Sequence, residues 1–404
     1  MEDVKLIMVT AANNNKFYNM HDNGDGTFTA HYGRVGTDGT RIDYPMSKWN
    51  AQYNAKVKKG YTDITDNNKQ VIGYTALTDS ELNTLVETFL QNSRQFVSNT
   101  TNVKQLSTAK ASEFQDHLNK MTVIVNTGNG TVTELNNFNQ HLIELFKLVP
   151  RTMSRVQDYL IQTWDVNRMN QKIVREQSLL DNIVILEKKQ PTKAGQTIPE
   201  VFGFDIAKAT PQEVDFIKDR LAKDGFTRFS VNRVFKVSTP SREQGFLEYL
   251  ENNNLKNNDT NVKFYWHGTG EENLLSILST GLLIKPSNAS HCGSAFGVGI
   301  YNAPNADKAS GYTSIAGSYW KGGYKRTAYM FLNAVIVGNV FDCKDNYDKY
   351  GNISIYNLDG DKFSQADLGY HSIYAHAGGY LKRDEVIVYN QNQVACRYLI
   401  EFSV

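Results

Sequence analysis

A single histidine stands between three aromatic residues and a Gly-Thr-Gly sequence in FYWHGTG, residues 264–270. An imidazole titrates near neutral pH, so His267 could bind a ligand or move a proton if its strand ended at a cleft. The glycines after it allow the backbone to open around such a cleft. A histidine after an apolar run is also common as a hydrogen-bonded strand-end residue. The stretch therefore indicates either a core histidine or the first part of an active site.

A second group of chemically useful side chains lies in HYGRVGTDG, residues 31–39, where Tyr32 and Arg34 flank a glycine. An aromatic ring beside cations can stack on a sugar or base and pair with phosphate. The nearby cations are Lys16, Lys48, Lys56, Lys58 and Lys59. On charge alone, an exposed hairpin beside a solvated helix face is the simpler interpretation.

The residue types predict no metal site. In DNGDG (22–26), an EF-hand alignment would place His21 and Tyr32 at positions that require carboxylates, so a hairpin turn is expected instead. The chain has only three cysteines, which are Cys292, Cys343 and Cys396. They lie far apart and include no C-x-x-C pair, so neither a zinc site nor a disulfide framework is expected.

The length of 404 residues allows two or three domains with their own cores. The formal net charge of +1 gives the whole molecule no attraction for nucleic acid, so such binding would need a local cationic patch. The N-terminal sequence has no basic stretch before an apolar core, and no apolar run approaches about eighteen residues. We therefore expect an intracellular protein without a signal peptide or membrane span, nuclear in a eukaryote and cytoplasmic otherwise.

The N-terminal cations must be positioned by residues 1–70, whose pattern predicts a small β-rich module. Short runs of alternating apolar and polar residues are separated by the turns DNGDG and GTDG. A short amphipathic helix is predicted at 47–60, because Trp49, Tyr53 and Val57 recur every four residues.

Residues 75–190 contain few glycines, and their apolar residues recur at three- and four-residue spacing, which predicts an all-α bundle. The predicted helices cover residues 79–96, 112–124, 132–149, 153–164 and 174–189. After a linker at 188–200, residues 196–404 combine helices and strands in an α+β domain. Its predicted strands include 264–267, 326–343, 384–390 and 396–404.

The N-terminal motifs NNNKFYNM, HYGRVGTDG and KKGY resemble, in this order, the WGR domain of DNA-damage-responsive poly(ADP-ribose) polymerases. In that family the module meets DNA ends, often at the 5′ phosphate. The resemblance implies DNA ends or nicks as partners of residues 1–70. The implied DNA contacts are Asn15, Lys16, Tyr32, Arg34 and Lys58. Tyr32 stands where the family has tryptophan, so the stacking surface is smaller.

The C-terminal motifs WHGTG, FGVGIYNA, KASGY and DEVIVYN resemble, in this order, the catalytic domain of poly(ADP-ribose) polymerases. The resemblance implies a split, mostly antiparallel sheet, NAD+ as the substrate and no metal. His267, Tyr301 and Glu385 match the family's His–Tyr–Glu signature and are the implied catalytic residues. The implied NAD+ contacts are His267, Gly268, Thr269, Asn273, Tyr301, Ser310 and Tyr312.

The resemblance also implies how NAD+ is held while the bond between nicotinamide and ribose breaks. Tyr301 and Tyr312 would sandwich the nicotinamide ring, and the open backbone at Gly268 would pair with its carboxamide. His267 would bind the adenosine-side ribose and fix its orientation. Glu385 would accept from the 2′-hydroxyl of the nicotinamide ribose, stabilise the developing positive charge and orient the acceptor hydroxyl.

Several positions depart from the family pattern. Strict alignment places Ala309 where the family has an amide-binding serine, and Ser310 takes that role only if the turn shifts. Leu283 replaces an arginine that contacts the adenosine half, Val298 replaces a common lysine, and the loop 285–295 is short. These departures concern affinity and chain elongation more than the transfer reaction.

The sequence thus predicts a WGR-like module at 1–70, a helical domain at 75–190 in the position of the family's autoinhibitory domain, and a catalytic domain at 196–404. The predicted function is NAD+-dependent ADP-ribosyl transfer by a poly(ADP-ribose) polymerase. It would modify itself and other proteins in response to DNA breaks and release nicotinamide. The alternatives are a mono-ADP-ribosyltransferase and a catalytically weak scaffold that binds DNA ends.

Overall fold

The computed structural model describes residues 3–10, 14–65, 73–103, 106–284, 296, 299–318, 322–343, 369–378 and 381–404. Contacts divide the chain into two compact units: unit 1 comprises residues 1–71 and 94–188, and unit 2 comprises residues 72–93 and 189–404. The segment predicted as a helical domain at 75–190 is therefore shared between the units. The short loop 285–295 and Val298 lie outside the described residues.

The strands of unit 1 are β1 (Val4–Thr10), β2 (Asn14–Asp22), β3 (Thr27–Arg34), β4 (Thr40–Pro45) and β5 (Thr62–Asp63). They form one antiparallel sheet in the order β4-β3-β2-β1-β5. The helix α1 (Trp49–Lys58) follows a 3₁₀ turn at Met46–Lys48. These elements lie where the sequence alternation and the four-residue spacing predict them.

The two faces of this sheet carry different apolar residues because side chains alternate along each strand. One face contributes Tyr18 and Phe28 to a core cluster with Trp49 of α1. The other face contributes Ile7 and Val9 to the core that the helices of unit 1 form. The sheet is therefore a middle layer within this unit.

The long helices are α2 (Ser80–Thr100), α3 (Thr108–Thr127), α4 (Val132–Leu148) and α5 (Val166–Lys188). The helix α4 begins with a capping box, in which Thr131 and Glu134 each bind the other's backbone. The prediction of a helix at 153–164 is wrong, since only a 3₁₀ turn forms there, at Val156–Tyr159. The side chain of Asn139 instead pairs with both backbone groups of Ile161.

His117 of α3 and His141 of α4 form a half-buried pair, with 2.9 Å between their Nδ1 atoms. Burial is the main cause that lowers the pKa of both imidazoles. The charged groups that act on the pair are Glu113, Asp116, Lys120 and Glu144. One neutral ring can donate to the other, whereas two protonated rings would place two N–H groups and two charges against each other.

Acidification is expected to destabilise the packing of α3 against α4. The unfolded chain protonates these histidines below about pH 6.5, whereas the folded protein does so only at lower pH, so stability is full above that pH and is lost as pH falls. Urea unfolding measured from about pH 7.5 down to about pH 5 should show a falling midpoint. The double variant H117Q/H141Q should flatten this dependence, and an unchanged pH dependence in that variant would contradict the assignment.

The helices of unit 2 are α6 (Ile198–Phe202), α7 (Pro211–Lys223), α8 (Pro240–Asn252), α9 (Leu274–Thr280) and α10 (Ala306–Ser310). The strands are β6 (Asp205–Lys208), β7 (Ser230–Ser238), β8 (Val262–Gly268), β9 (Ile300–Asn302), β10 (Thr327–Ile336), β11 (Val340–Cys343), β12 (Ser372–Ala375), β13 (Glu385–Val388) and β14 (Val394–Ser403). Across the described part of the chain, no helix combines the length and apolar character needed to cross a membrane.

The strands of unit 2 form two sheets. One has the order β6-β7-β14-β10-β8 and is antiparallel throughout. The other has the order β11-β12-β13-β9, in which β11 and β12 are parallel and the other described pairs are antiparallel. This confirms the predicted mixed α+β fold with mostly antiparallel sheets.

The two sheets of unit 2 meet where β8 passes the end of β9. The amide of Trp266 donates to the Ala303 carbonyl and the amide of Ala303 donates to the Trp266 carbonyl, each at 2.8 Å. This bridge sets the end of β8 beside β9. It therefore makes His267 and Tyr301 neighbours.

The first part of α2 belongs to unit 2 and packs on its sheet and on the turn after β8. The ring of Phe89 meets Tyr329 edge to face at 5.2 Å between centroids. Asn92 donates to the Glu271 carboxylate and the Ser93 hydroxyl donates to the Glu272 carbonyl, both at 3.1 Å. The compact unit that contains the predicted catalytic residues thus includes the start of this helix.

Candidate functional site

His267 is held at the end of β8 by β10 on one side and by Tyr301 on the other. It pairs with Phe331 across the sheet, and its Nδ1 lies 3.2 Å from the Tyr301 carbonyl oxygen. A carbonyl only accepts, so Nδ1 carries the proton and Nε2 of the neutral ring keeps a lone pair. Burial lowers the pKa of His267, so the ring is neutral at neutral pH. The side chain can therefore accept a hydrogen bond from a hydroxyl group.

Gly268 lies where α10 approaches β8 most closely. A Cβ atom at this position would lie 1.7 Å from the carbonyl oxygen of Ala309 and 2.7 Å from its carbonyl carbon. Only glycine permits this approach of two backbones. The same Ala309 oxygen accepts from the Tyr312 amide at 3.1 Å. Gly268 thus brings the predicted residues of β8 together with those that follow α10.

Thr269 and Asn273 lie on one tight turn after β8. The Asn273 side-chain amide donates to the Thr269 hydroxyl oxygen at 3.2 Å. The Glu271 amide donates to the Ser314 hydroxyl, also at 3.2 Å, which anchors the turn to the segment after α10. Because Thr269 Oγ1 accepts from Asn273, its own proton points to another acceptor.

Ala309 and Ser310 are both buried on α10 but in different surroundings. Ala309 lies in the core cluster that contains Trp266. The Ser310 hydroxyl donates to the Asp307 carbonyl at 2.8 Å. In this structure the Ser310 proton therefore stabilises its own helix, and its oxygen can serve a ligand only as an acceptor.

Glu385 begins β13, and Lys308 of α10 binds its carboxylate. Lys308 Nζ lies 2.5 Å from Glu385 Oε1, and the two side chains are 10% and 7% exposed. The same Nζ donates to the carbonyls of Arg383 and Asp384 at 3.0 and 3.3 Å. Glu385 Oε2 is buried and has no hydrogen-bond partner among the described residues. A buried carboxylate oxygen of this kind fits an incoming hydroxyl donor.

Burial and pairing act in opposite directions on these two groups. Burial raises the pKa of Glu385, and Lys308 reduces that rise. Burial likewise lowers the pKa of Lys308, and Glu385 opposes that fall. The contact between the two side chains therefore favours the charged form of each group, against the effect of burial. Sequence reasoning missed Lys308 as a site residue, although it is the lysine of KASGY and directly precedes Ala309.

Tyr301 and Tyr312 are both partly exposed, and they lie on either side of α10 in the chain. Tyr301 lies opposite Ile387 of β13, two residues after Glu385. Tyr312 follows α10 directly. Leu283 is half-buried after α9.

The predicted DNA contacts of unit 1 meet on the face of the sheet that carries α1. Lys16 pairs with Arg34 and Tyr18 pairs with Tyr32 across β2 and β3. Lys56 Nζ lies 3.9 Å from the Tyr18 ring centroid and 5.5 Å from that of Tyr32. Aromatic rings and cations therefore alternate over a few ångströms of surface.

Asn15 does not lie on this face, whereas Lys58 is exposed at the end of α1. Asn15 is fully buried, and its side-chain amide donates to the carbonyls of Arg151 and Met153 at 3.0 and 3.2 Å. Its position in β2, next to Lys16, places it on the opposite face of the sheet. Asn15 has no surface with which to reach DNA in this structure, so we remove it from the set of DNA contacts.

Within the described residues, no three side chains of His, Cys, Asp or Glu come together as they would around a metal ion. The titratable groups at the end of β8 and the start of β13 instead interact with one another or with backbone groups. Two acceptors at this site are the Nε2 lone pair of His267 and the Oε2 atom of Glu385, which has no partner among the described residues. Both can accept from hydroxyl groups.

A family model of the poly(ADP-ribose) polymerase catalytic domain matches residues 214–404. The chain is 34% identical over 191 residues to protein 101L of Invertebrate iridescent virus 6, covering 46% of this chain and 77% of the relative. It is 30% identical over 207 residues to the poly [ADP-ribose] polymerase-like protein 100L of that virus, covering 49% and 98%. Poly [ADP-ribose] polymerase 2-B of Oryza sativa subsp. japonica is 24% identical over 448 aligned positions, covering 97% and 70%.

The matched region contains His267, Tyr301 and Glu385. The two viral relatives are matched over most of their own length. The chain therefore belongs to the poly(ADP-ribose) polymerase family, and it is an NAD+-dependent ADP-ribosyltransferase.

Proposed function

We propose that this enzyme is a poly(ADP-ribose) polymerase that responds to DNA breaks and modifies proteins, including itself. The observation that supports the transfer chemistry best is the buried Oε2 of Glu385, which has no partner among the described residues. A hydroxyl of the nicotinamide ribose is a donor that fits this oxygen. Residues 1–70 would bind DNA, and residues 196–404 would perform the transfer.

In the proposed reaction, the bond between the anomeric carbon of ribose and the nicotinamide nitrogen breaks, and its electron pair leaves with nicotinamide. Positive charge develops on the ribose, and the Glu385 carboxylate stabilises it. The acceptor oxygen then attacks the anomeric carbon and gives its proton to Glu385. Lys308 keeps the carboxylate in place through Oε1, so that Oε2 faces the substrate hydroxyl.

The proposed NAD+ contacts are His267, Gly268, Thr269, Asn273, Tyr301, Ser310 and Tyr312. The neutral His267 ring accepts from the adenosine-side ribose through Nε2. The rings of Tyr301 and Tyr312 enclose the nicotinamide. The Gly268 backbone and the Thr269 hydroxyl pair with the carboxamide, and Asn273 fixes that hydroxyl.

Polymer formation requires that the acceptor hydroxyl belong to the previous ADP-ribose unit. Glu385 supports this activity because one carboxylate can orient the acceptor as well as stabilise the donor ribose. A mono-ADP-ribosyltransferase is the second candidate. The length of the product on a gel separates them: a ladder of products supports the polymerase, and a single shifted band supports single transfer.

The DNA contacts that we propose are Lys16, Tyr32, Arg34 and Lys58. Tyr32→Ala is expected to weaken binding to nicked DNA about tenfold, because an aromatic–base stack contributes about 1–3 kcal/mol. Arg34→Ala should lower the slope of the salt dependence by about one. Fluorescence anisotropy with a nicked duplex measures both effects. Arg41→Ala, at an exposed position of β4, is the matched control, and equal losses in the control would contradict the assignment.

The test of the whole proposal is incorporation of labelled ADP-ribose from NAD+, with and without nicked DNA. We expect label on the enzyme itself and several-fold more label when nicked DNA is present. Wild-type protein that incorporates no label under either condition would contradict the transferase activity. Label that does not change with DNA would contradict only the response to DNA breaks.

A further inference from the structure

The backbone of Phe296 is held by two tyrosine hydroxyls, one at its amide and one at its carbonyl. Its amide donates to Tyr301 Oη at 3.0 Å, and its carbonyl accepts from Tyr389 Oη at 2.6 Å. The Phe296 side chain is fully buried in a cluster with Ile387 and Tyr389, and Tyr301 packs against that cluster. The backbone of one residue therefore connects Tyr389 to the hydroxyl of Tyr301.

The local sequence explains how Tyr389 reaches the Phe296 backbone. Glu385, Ile387 and Tyr389 alternate along β13 and just beyond it, so they share one face. Gly299 lies across from them: a Cβ atom there would be 2.7 Å from Ile387 and 3.4 Å from the Tyr389 ring. The absent side chain leaves room for the tyrosine ring to pass toward Phe296.

We infer that Tyr389 is a positioning residue for NAD+ binding, which fixes the position of the Tyr301 ring through the backbone of Phe296. This inference rests on the proposed role of Tyr301 in stacking on nicotinamide. The backbone of Tyr301 is already held, because its carbonyl accepts from His267 and its strand pairs with β13. Its hydroxyl is the far end of the ring, so the bond from Phe296 fixes the direction in which the ring points, which is set by the χ1 rotation.

Two further observations support this role. Tyr389 is 4% exposed, so its hydroxyl is shielded from water that could replace it. Burial also raises the pKa of this hydroxyl well above its ordinary value, so it remains a donor throughout the physiological pH range. Tyr389 follows Glu385 by four residues. The segment that begins with β13 therefore positions both the Glu385 carboxylate and the tyrosine that supports the Tyr301 ring.

The test is Tyr389→Phe, which removes the hydroxyl and keeps the ring. We expect KM for NAD+ to rise about five- to tenfold while kcat changes less than about twofold, since the lost hydrogen bond orients a binding surface. The inhibition constant of nicotinamide should rise by the same factor. Tyr398→Phe is the matched control, because its hydroxyl bond joins β14 of the other sheet to Glu213 of α7, and its KM should not change.

Tyr301→Phe breaks the same connection from the other side and should give a similar KM. The double variant should resemble the single ones, because both hydroxyls act through the backbone of one residue. A folded Tyr389→Phe protein with unchanged KM and unchanged nicotinamide inhibition would overturn the inference. If Tyr389→Phe does not fold, an unchanged KM in Tyr301→Phe overturns it instead. Wild type without any transfer would overturn the proposed function as well, whereas active wild type with unaffected variants overturns only this inference.

Discussion

Glu385→Gln is expected to lower kcat for ADP-ribosyl transfer about 100- to 1,000-fold while the protein still binds NAD+. The amide keeps the size of the side chain but removes the negative charge that stabilises the ribose in the transition state. Glutamine can still accept one hydrogen bond, so the ribose hydroxyl keeps a partner in the ground state. Initial rates with labelled NAD+ measure the loss, and KM should change much less than kcat.

The control for Glu385→Gln tests the effect of the Lys308 charge that the substitution leaves without its anionic partner. Lys308 is 10% exposed and would lose its anionic partner, which destabilises the protein. The double variant K308M/E385Q should recover stability in urea unfolding without recovering activity. Recovery of transfer in the double variant would show that the defect comes from the unpaired lysine and would contradict the catalytic role of Glu385.

The pH dependence of the wild type provides an independent check on the same carboxylate. Its pKa is raised by burial, so the reactive ionised form is lost as pH falls through a value above the ordinary one of 4.5. The acid side of the kcat profile should therefore fall above that value.

Gly268→Ala is expected to reduce kcat/KM for NAD+ by about 100-fold or more. The new Cβ atom would lie 1.7 Å from the Ala309 carbonyl oxygen, so β8 and α10 must separate by more than about 1 Å. That movement displaces His267 on one side and Lys308 with Glu385 on the other. Steady-state kinetics and thermal unfolding measure the two consequences.

Gly73→Ala is the matched control for this substitution, because a Cβ atom at Gly73 would meet no atom within 4 Å. It adds the same methyl group to the same compact unit and should leave kcat/KM unchanged. A Gly268→Ala protein with wild-type kinetics would show that α10 can move away from β8 without effect, which would contradict the close packing as a requirement.

The sequence was most informative where a pattern is local. Alternation predicted the strands of the N-terminal sheet, and the strand-end position of His267 follows from the apolar run before it. The order of motifs also brought His267, Tyr301 and Glu385 into one domain. Each of these predictions depends on residues that are close together in the chain or on the spacing of motifs within one segment.

Interactions between distant segments were the part that the sequence did not reveal. Lys308 and Glu385 are 77 positions apart in the chain, and only the packing of α10 brings them together. The resemblance of NNNKFYNM to the WGR domain implied Asn15 as a DNA contact, but Asn15 is buried and its side chain donates to the carbonyls of Arg151 and Met153. The apolar spacing of 153–164 reflects burial of an irregular segment and not a helix.

The position of α2 limits how the protein can be cut into working fragments. A fragment that starts at residue 196, after the linker, would lose Phe89, Asn92 and Ser93. It would uncover the Tyr329 ring and remove two hydrogen bonds from the turn at 271–272 that follows His267. Deleting 75–190 to relieve inhibition would remove the same supports. A shortened enzyme should therefore retain residues 73–93, joined to the catalytic segment by a flexible linker.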